Sequence, residues 1–456
     1  MDFARRQFFL FVAGAFLQPK GDRPKRGMLV RSVRPEDLEM PLSGFSDYIT
    51  PIEHFFVRTH VYAPRVNVND WRLKVDGGVA TPLTMTMEEL KQLPAVELVS
   101  VLECAGNGRG FYEPSMPGLQ WGNGGVGNGR WRGVRLADVL KRAGVKESAT
   151  EILFNGADVP IGTMPDFQRS IPVKKALDAQ TLLAYEMNGE VLPAAHGFPL
   201  RVVAPGWAGD SWIKWLTALS VLDNEHEGFW MKRAYRHPGR PVASGTAVPL
   251  EQMQPVTSLP IKSVIAAPLD GSQVVGGRPV SIHGVAWSGD AGPVTAVDIS
   301  TDGGRSWRPA TLKRTQRTPF GWRQWEYSWT PSREAYHTIL SRARDGSGNT
   351  QPLDQEWNPS GYGWNVVPRV GVNVVKALSD SVPPAQLADL SPPRNNEPGT
   401  ACVVCHDDDV IRQQRLTRAQ WDAELNKMIG WGANVKDEDR GRLLDYLFSN
   451  FGPRRR

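Results

Sequence analysis

Cysteine is scarce in this sequence, with Cys104, Cys402 and Cys405 the only three among 456 residues. Three thiols cannot build a disulfide framework, because any single pairing leaves one thiol free. A ligand role, in contrast, accommodates all three. Long apolar runs are also missing, since no uninterrupted stretch approaches the ~20 residues that a membrane-spanning helix needs. The chain is therefore expected not to span a membrane.

A strong charge imbalance is missing as well. The formal net charge is +5, and no dense basic stripe with interleaved aromatic residues occurs, which argues against nucleic acid as a partner. The small positive balance is compatible with a small anionic partner. At this length, two or three domains are expected rather than a single core.

Export is indicated by the N-terminus. Arg5 and Arg6 precede an apolar core, Phe8 to Leu17, which has the length of a signal-peptide core and is too short to cross a bilayer. Paired arginines before such a core are typical of twin-arginine export, and an ordinary secretory signal is the alternative. We therefore expect residues 1–18 to be a twin-arginine signal peptide and the mature protein to be periplasmic.

Changes of pattern divide the rest of the chain into four segments. Short strands and helices alternate over residues 40–255, which predicts an α+β domain. Residues 256–370 show period-two alternation and turn clusters, which predict an antiparallel β-sandwich. Residues 371–398 are rich in proline and predict a semi-rigid linker. Residues 399–453 form a small C-terminal unit with helical patterns, which predicts an all-α domain.

One stretch, Val101 to Glu113, carries the most informative chemistry; it runs V-L-E-C-A-G-N-G-R-G-F-Y-E. The apolar run before it predicts a buried strand with Cys104 at its end, and three glycines then permit a tight turn that carries Arg109. A thiolate suits a soft or high-valent metal, and a nearby guanidinium lowers the thiol pKa and can hold an anion. The alternative is a buried, inert cysteine.

A second glycine-rich stretch, Gly118 to Gly133, contains G-N-G-G-V-G, a formal match to a dinucleotide-binding fingerprint. No predicted strand leads into that match and no predicted helix follows it, so we reject the dinucleotide interpretation. A flexible loop at the active site is expected instead.

The Cys104 stretch resembles the C-A-G-N-x-R signature of the sulfite oxidase family of molybdenum enzymes. Further segments resemble that family in the same order, over roughly residues 45–370. They are F-F-V-R-T-H at Phe55 to His60, A-Y-E-M-N at Ala184 to Asn188, H-G-F-P at His196 to Pro199, R-V-V-A-P-G at Arg201 to Gly206 and I-K-W-L at Ile213 to Leu216. The resemblance implies a sulfite-oxidase-type molybdopterin domain followed by an immunoglobulin-like dimerisation domain, and hence a homodimer.

The same resemblance implies roles for individual residues. Cys104 would be the single protein ligand to molybdenum in a molybdenum–pterin cofactor. Arg58 and Arg109 would bind the substrate anion, which suits the planar, two-pronged guanidinium group, and Tyr235 would be the catalytic tyrosine. The cofactor would be held by Phe56, Arg58, His60, Cys104, Asp158, His196, Arg201, Trp212, Ile213 and Lys214. Many family members carry an arginine where this sequence has Gly108, so the site has one cation fewer here.

The C-terminal unit contains C-V-V-C-H, the attachment signature of c-type haem. Cys402 and Cys405 would bind the porphyrin and His406 would ligate the iron. A zinc site would need two further ligands, but no cysteine or histidine follows His406, and a redox-active C-x-x-C would need a βαβ surrounding. Met428 is the candidate for the second axial ligand, with simple packing as the alternative. The unit resembles the short cytochrome c domains found with bacterial sulfite dehydrogenases.

Three functional hypotheses follow from these patterns. The first is a periplasmic sulfite dehydrogenase that passes electrons through its own haem to a soluble cytochrome c or another acceptor. The second is a related molybdenum enzyme that acts on a different sulfur compound, such as a protein-bound sulfane. The third is an exported cytochrome without catalytic activity. The C-A-G-N-x-R arrangement favours the first hypothesis over the second, because the sulfane dehydrogenase branch that residues 281–310 resemble has a different loop after the cysteine.

Overall fold

The computed structural model describes residues 27–314, 318–378 and 405–453. The predicted signal peptide, Cys402 and most of the predicted linker lie outside the described residues. Within these three ranges, no helix has both the length and the apolar composition needed to cross a membrane. The described chain forms two units built from β-sheets and a third unit built from helices.

The first unit contains two five-stranded sheets, two short two-stranded sheets and four short helices. Its strands are β1 Leu29–Ser32, β2 Asp37–Glu39, β3 Leu73–Gly77, β4 Leu83–Met85, β5 Ala95–Glu103, β6 Val126–Arg135, β7 Glu151–Gly156, β8 Arg169–Pro172, β9 Leu182–Met187, β10 Glu190–Val191, β11 Arg201–Val203, β12 Leu216–Leu222, β13 Arg236–Pro238 and β14 Met253–Pro255. Its helices are α1 Met87–Lys91, α2 Leu136–Ala143, α3 Val173–Ala176 and α4 Phe229–Lys232. The predicted α+β class is therefore confirmed in a coarse sense, as a sheet-rich domain with few helices.

The two large sheets share one apolar core. One sheet has the order β10-β9-β6-β5, with β11 also paired to β9, and its strands are antiparallel. The other has the order β4-β3-β12-β7-β8, in which only the β12–β3 pair is parallel. Trp131 from the first sheet and Phe154 and Leu219 from the second are fully buried in this core.

The α1 and α2 helices begin and end at local sequence signals. The α1 helix begins after Thr86, whose hydroxyl accepts a hydrogen bond from the Glu89 backbone while the Glu89 carboxylate accepts one from the Thr86 backbone. This reciprocal capping satisfies two donors at the start of the helix. The α2 helix ends at Gly144, whose left-handed backbone conformation (φ +71°) is one that glycine adopts without steric cost.

The predicted flexible loop over residues 118–133 is wrong for its second half. Residues 126–133 belong to β6, an interior strand with hydrogen-bonded neighbours on both sides. A glycine is needed there because a Cβ atom on Gly133 would lie 2.0 Å from the Leu183 carbonyl oxygen. Glycine in this segment therefore serves close packing between strands rather than mobility.

The first unit also begins before the predicted start at residue 40. The Glu39 carboxylate in β2 accepts hydrogen bonds from the backbones of Gly122 and Gly124, at 2.9 Å each. The segment preceding residue 40 therefore fixes the conformation of the glycine-rich turn that leads into β6.

The second unit is a β-sandwich, as predicted. Its strands are β15 Lys262–Ala267, β16 Ser272–Val275, β17 Val280–Trp287, β18 Ala296–Ser300, β19 Arg308–Pro309, β20 Thr311–Leu312, β21 Arg323–Trp329, β22 Tyr336–Arg344 and β23 Arg369–Val375. One sheet has the order β15-β17-β21-β20 and the other β16-β23-β22-β18-β19, with a single parallel pair, β16–β23. Because β23 ends at Val375, the predicted linker boundary at residue 371 falls inside the sandwich.

The described part of the C-terminal unit contains three helices: α5 Asp409–Arg412, α6 Arg418–Gly430 and α7 Asp437–Phe451. Its small core includes Leu416, Trp421 and Phe451. The unit packs against the first unit through paired amides, since Gln413 accepts a hydrogen bond from the Gln120 backbone and Gln414 donates one to the Gly118 carbonyl group. The predicted helical character is thus present in residues 405–453.

A buried carboxylate joins the first and second units. Glu103, the last residue of β5, accepts hydrogen bonds from Lys262 Nζ at 2.6 Å and from Trp287 Nε1 at 2.7 Å. Asn107 Nδ2 donates a third bond to it at 2.9 Å. The side chains of Glu103 and Lys262 are each 4% exposed, so each charge depends on the other for compensation.

We predict that Lys262→Met lowers the free energy of unfolding of the full chain by about 3–5 kcal/mol, because it leaves the Glu103 carboxylate buried and unpaired. Urea denaturation measures this change. The double variant Glu103→Gln/Lys262→Met should recover much of the loss, since neither charge then remains. Lys436→Met is the control, because Lys436 and its partner Glu438 are both exposed. A loss below about 1 kcal/mol for Lys262→Met would contradict the prediction.

Candidate active site

A cavity of about 70 Å³, here called the small cavity, lies in the first unit beside Cys104, the residue that follows β5. It is lined by predicted site residues from six separate segments of the chain. They are Phe56, Arg58, His60, Cys104, Asp158, His196, Arg201, Trp212, Ile213, Lys214 and Tyr235. The structure therefore brings together the residues that the sequence assigned to cofactor binding and catalysis in this unit, apart from Arg109.

A second cavity of about 510 Å³, the interface cavity, lies between the first unit and the C-terminal unit. Arg109 lines it, together with three predicted residues from the far side: Cys405, His406 and Met428. Four residues line both cavities, namely Arg58, His60, Cys104 and Tyr235. The two cavities therefore share one wall, which carries the thiol, a guanidinium group, an imidazole ring and a phenol.

The backbone around Cys104 is fixed by short hydrogen bonds. Cys104 N donates to the Gly125 carbonyl at 2.8 Å, and Asn107 N donates to the Cys104 carbonyl at 2.9 Å. The Asn107 side chain bridges Glu103 and the Gly125 backbone. Burial raises the pKa of the Cys104 thiol, and the nearby positive charge of Arg58 opposes that change. A metal cation at the sulfur would favour the thiolate.

Cys104 is an isolated candidate ligand. Among the described residues, no group of three or more His, Cys, Asp and Glu side chains is arranged to hold a metal ion. A metal at Cys104 would therefore take its other ligands from a cofactor, which is what a metal–pterin group provides. This donor set fits the cofactor that the family resemblance implies.

Arg58 is oriented by Asp37, a residue of β2 that the sequence did not single out. Arg58 Nη1 donates to Asp37 Oδ1 at 3.2 Å and also to the Thr59 carbonyl group. Asp37 Oδ1 accepts a further bond from Thr59 N at 2.8 Å. Burial raises the pKa of Asp37 to about 6, although Arg58 opposes this shift. At neutral pH the Asp37 carboxylate is therefore ionised and holds the guanidinium group at the shared wall.

Tyr235 and His60 form a hydrogen-bonded pair, with 2.6 Å between the phenol oxygen and His60 Nε2. Burial raises the pKa of Tyr235 well above its usual value, whereas burial and the charge of Arg58 lower the pKa of His60. At neutral pH the hydroxyl is therefore protonated and the imidazole is neutral, and in the tautomer with the ring proton on Nδ1 Tyr235 donates to Nε2. Tyr235 also has a positive φ of 51°, a strained conformation for a residue with a side chain.

Arg201 is a buried cation without a carboxylate partner among the described residues. Its guanidinium group donates to the carbonyl groups of His196 at 2.9 Å and Trp212 at 3.1 Å. Burial lowers its pKa to about 9, and no neighbouring negative charge offsets that shift. An uncompensated buried charge is costly, so an anionic group in the small cavity would stabilise it. With Lys214 in the same wall, the cavity suits a phosphate group.

Four polar residues of the site were missed by the sequence analysis: Asp37, Arg169, Asp210 and Tyr362. Arg169 and Asp210 form a fully buried ion pair at 2.6 Å beneath Tyr235, with the guanidinium carbon 5.4 Å from the phenol ring centre. No motif marks these residues in the sequence. Only the pairing of distant strands and loops shows that they meet at the site.

Because Gly108 has no side chain, Trp364 of the second unit can pack directly against its backbone. A Cβ atom at Gly108 would lie 2.5 Å from Trp364 Cδ1, and its φ of +87° is one that glycine favours. The indole of Trp364 therefore occupies the space that a side chain at position 108 would need, such as the arginine that the resemblance implies for many family members.

Two family models match the chain in the regions of the first and second units. The model of the oxidoreductase molybdopterin binding domain matches residues 60–230. The model of the Mo-co oxidoreductase dimerisation domain matches residues 253–375. The β-sandwich is therefore a dimerisation domain of the type found in molybdenum-cofactor oxidoreductases.

Known proteins similar to this chain include mitochondrial sulfite oxidase of Mus musculus, which is 37% identical over 374 residues, or 78% of this chain and 68% of the mouse protein. Sulfite oxidase of Gallus gallus is 35% identical over 75% of this chain and 77% of its own length. The crystal structure of the sulfane dehydrogenase SoxCD from Paracoccus pantotrophus aligns with a TM-score of 0.64 at 27% identity, covering 82% of this chain and 96% of that chain. By these matches and by the geometry around Cys104, the chain belongs to the sulfite oxidase family of molybdopterin-dependent oxidoreductases.

Proposed function

We propose that this protein oxidises sulfite to sulfate at a molybdenum–pterin centre bound to Cys104, and passes the electrons through a c-type haem in its C-terminal unit to an external cytochrome c. The observation that carries the proposal is the wall shared by the two cavities. The residues around Cys104 also line the cavity that contains His406 and Met428. Electrons released on one side would therefore have a short route to the other.

The reaction defines what the protein must do. Conversion of sulfite to sulfate adds one oxygen atom from water and releases two electrons and two protons. When bound, the molybdenum–pterin group supplies the two-electron oxidation. The protein must bind a dianion, orient it, and provide a path for the protons.

Anion binding falls to Arg58 and Arg109. A guanidinium group can donate two parallel hydrogen bonds to one oxyanion, which a lysine cannot match in geometry. Arg58 is held at the shared wall by Asp37. Arg109, on the turn after Cys104, is 8% exposed and lines the interface cavity. The two groups would approach the substrate from different sides.

Proton handling falls to Tyr235 and His60. The neutral imidazole keeps the Tyr235 hydroxyl in place through the 2.6 Å hydrogen bond. The phenol can pass its proton to Nε2 while its oxygen accepts a proton released at the substrate, so the pair can carry a proton away from the reacting centre. The buried Arg169–Asp210 pair supports the ring from below.

The C-terminal unit has the side chains that a c-type haem requires. Cys405, His406 and Met428 all line the interface cavity. Met428 follows Trp421 and Leu425 on one face of α6, and all three reach this cavity. His406 and Met428 would hold a bound haem, and a Met/His pair would raise its reduction potential and make it a better electron acceptor. Cys402, the second predicted attachment thiol, lies outside the described residues.

The assembly and location are part of the same proposal. The dimerisation domain supports a homodimer. The N-terminal Arg5-Arg6 pair and the apolar core after it support twin-arginine export to the periplasm. A protein that folds around a cytoplasmic cofactor must cross the membrane already folded, which this export route permits.

A second candidate function is oxidation of a sulfane, favoured by the structural likeness to the SoxCD sulfane dehydrogenase. A protein-bound sulfane would have to reach Cys104 past the C-terminal unit, which covers the interface cavity. A small anion does not face that restriction. Turnover measured with sulfite and with protein-bound sulfane separates the two functions.

The direct test is titration of the purified, full-length protein with sulfite while the haem absorption is recorded. We expect stoichiometric haem reduction in protein that contains molybdenum and iron in equal amounts. No reduction with both metals present would overturn the proposal. A molybdenum to iron ratio near zero would instead favour a cytochrome without catalytic activity.

We predict that Cys104→Ser reduces sulfite turnover to below about 1% of the wild-type rate, because a serine hydroxyl ionises far less readily than a thiol and so does not replace the thiolate as a metal ligand. The haem spectrum should stay unchanged, since Cys104 lies in the first unit. Steady-state kinetics and absorption spectroscopy measure the two effects. Activity retained at the wild-type level would exclude Cys104 from the reacting centre.

We also predict that Met428→Ala changes the axial ligation of the haem and lowers its reduction potential by a shift on the order of 100 mV. Potentiometric titration and absorption spectroscopy measure this. Ile429→Ala is the matched control, because Ile429 packs against the core of the C-terminal unit and is not part of the cavity wall. An unchanged potential in Met428→Ala would assign Met428 to packing.

A further inference from the structure

The dimerisation domain contributes directly to the candidate active site. Residues 357–365, here called the second-domain loop, leave the β-sandwich and pack against the turn after Cys104. Gly363 N donates to the Ala105 carbonyl at 3.1 Å, and the Tyr112 hydroxyl donates to the Tyr362 carbonyl at 2.8 Å. Trp357 is buried with Tyr112 in a small apolar cluster. The loop is therefore anchored at Trp357 and again at Tyr362 and Gly363.

Tyr362, at the centre of this loop, contacts two of the predicted catalytic residues. Its ring stacks on the Tyr235 ring, with 5.3 Å between ring centres and an angle of 15° between the planes. The Arg109 guanidinium carbon lies 4.9 Å from the centre of the Tyr362 ring. One side chain of the second unit thus touches both the phenol and the guanidinium group of the site.

Glycine residues make this contact possible. A Cβ atom at Gly361 would lie 3.1 Å from Arg109 Nε, and the backbone there has a φ of +64°. On the opposite side, Gly118 would place a Cβ atom 2.8 Å from Arg109 Nη1. The guanidinium group is therefore enclosed between two backbones and one aromatic ring.

Arg109 differs from Arg58 in what holds it. Arg58 has the Asp37 carboxylate, whereas no carboxylate within 4.0 Å pairs with Arg109 in the described chain. Arg109 Nη1 donates to the Leu119 carbonyl over a long 3.4 Å distance, and its Nε has no hydrogen-bond partner among the residues that the structure describes. A carboxylate would neutralise the guanidinium group, but an aromatic face attracts the cation and leaves its charge available.

We propose that Tyr362 is a positioning residue of the active site, which holds Arg109 and Tyr235 through its ring so that an oxyanion meets an uncompensated cation beside a fixed phenol. The inference rests on the proposed function in one respect, that Arg109 binds the anionic substrate. It assigns part of that binding to the dimerisation domain, so the site is complete only when the second-domain loop is docked.

The test compares two substitutions of one residue in the full-length protein. Tyr362→Phe keeps the ring and loses the hydroxyl, and Tyr362→Leu loses the ring. We expect Tyr362→Leu to raise the KM for sulfite, and the Kd for sulfate measured by calorimetry on the resting protein, about tenfold. Tyr362→Phe should stay within about twofold of the wild type for both quantities. Tyr336→Leu is the control, because Tyr336 lies in the same domain and is 66% exposed.

Each outcome decides the matter. Unchanged KM and Kd in Tyr362→Leu overturn the proposal, and so does a lowered melting temperature without a change in Kd, which would indicate a purely structural role. An equal loss in Tyr362→Phe assigns the effect to the hydroxyl and overturns the stacking argument. If Tyr362→Leu does not fold, Tyr362→Met fills a similar volume without an aromatic face. Because sulfate binding does not require turnover, a protein inactive on sulfite would refute the proposed function while the calorimetric result still tests Tyr362.

Discussion

The buried carboxylate of Glu103 is the constraint on which the position of Cys104 depends. An ionised carboxylate away from water must have its acceptor sites filled, and here the donors are Lys262, Trp287 and Asn107. Two of these come from the β-sandwich and one from the turn after Cys104. The turn after Cys104, the end of β5 and the contact between the two units are therefore interdependent, because the Glu103 carboxylate needs donors from both units.

Two buried carboxylates near the cavities are each paired with one arginine, whereas two other arginines there have no carboxylate partner among the described residues. These two cations could attract an anion. Asp37 is committed to Arg58, and Asp210 is committed to Arg169. Within the described part of the chain, Arg201 has only backbone carbonyl groups as hydrogen-bond acceptors, which is consistent with a phosphate in the small cavity. Burial raises the pKa of Asp37 and Asp210 to about 6, so both are ionised near neutral pH and keep their arginines in place.

The site is assembled from all three units rather than from one. The first unit supplies the thiol and most of the cavity wall, and the second-domain loop adds Tyr362 and Trp364. The C-terminal unit closes the interface cavity and is held there by paired amides and by Trp431, whose ring lies 6.0 Å from that of Trp230. Trp230 in turn lies 6.2 Å from Tyr235. A chain of aromatic contacts therefore connects the C-terminal unit to Tyr235.

Local pattern was sufficient to predict the elements whose stability is local. The α1 and α2 helices follow from a capping box and a terminal glycine, and β17 and β18 follow from period-two alternation. The position of Cys104 after a strand was predicted from the apolar run before it, and β5 ends at Glu103 with its last four residues buried. The short family motifs in the sequence identified residues of the small cavity that lie far apart along the chain.

Tertiary structure alone decided the rest, because the forces involved act between residues that are distant in sequence. Gly118 to Gly133 has the composition of a loop, yet strand pairing on both sides makes its second half the interior strand β6. Asp37, Arg169 and Tyr362 carry no motif, and each reaches the site only through packing between sheets or between units. Sequence thus determined which chemical groups are present and where the regular elements lie, whereas burial and long-range pairing determined which charges are compensated and which remain available for a substrate.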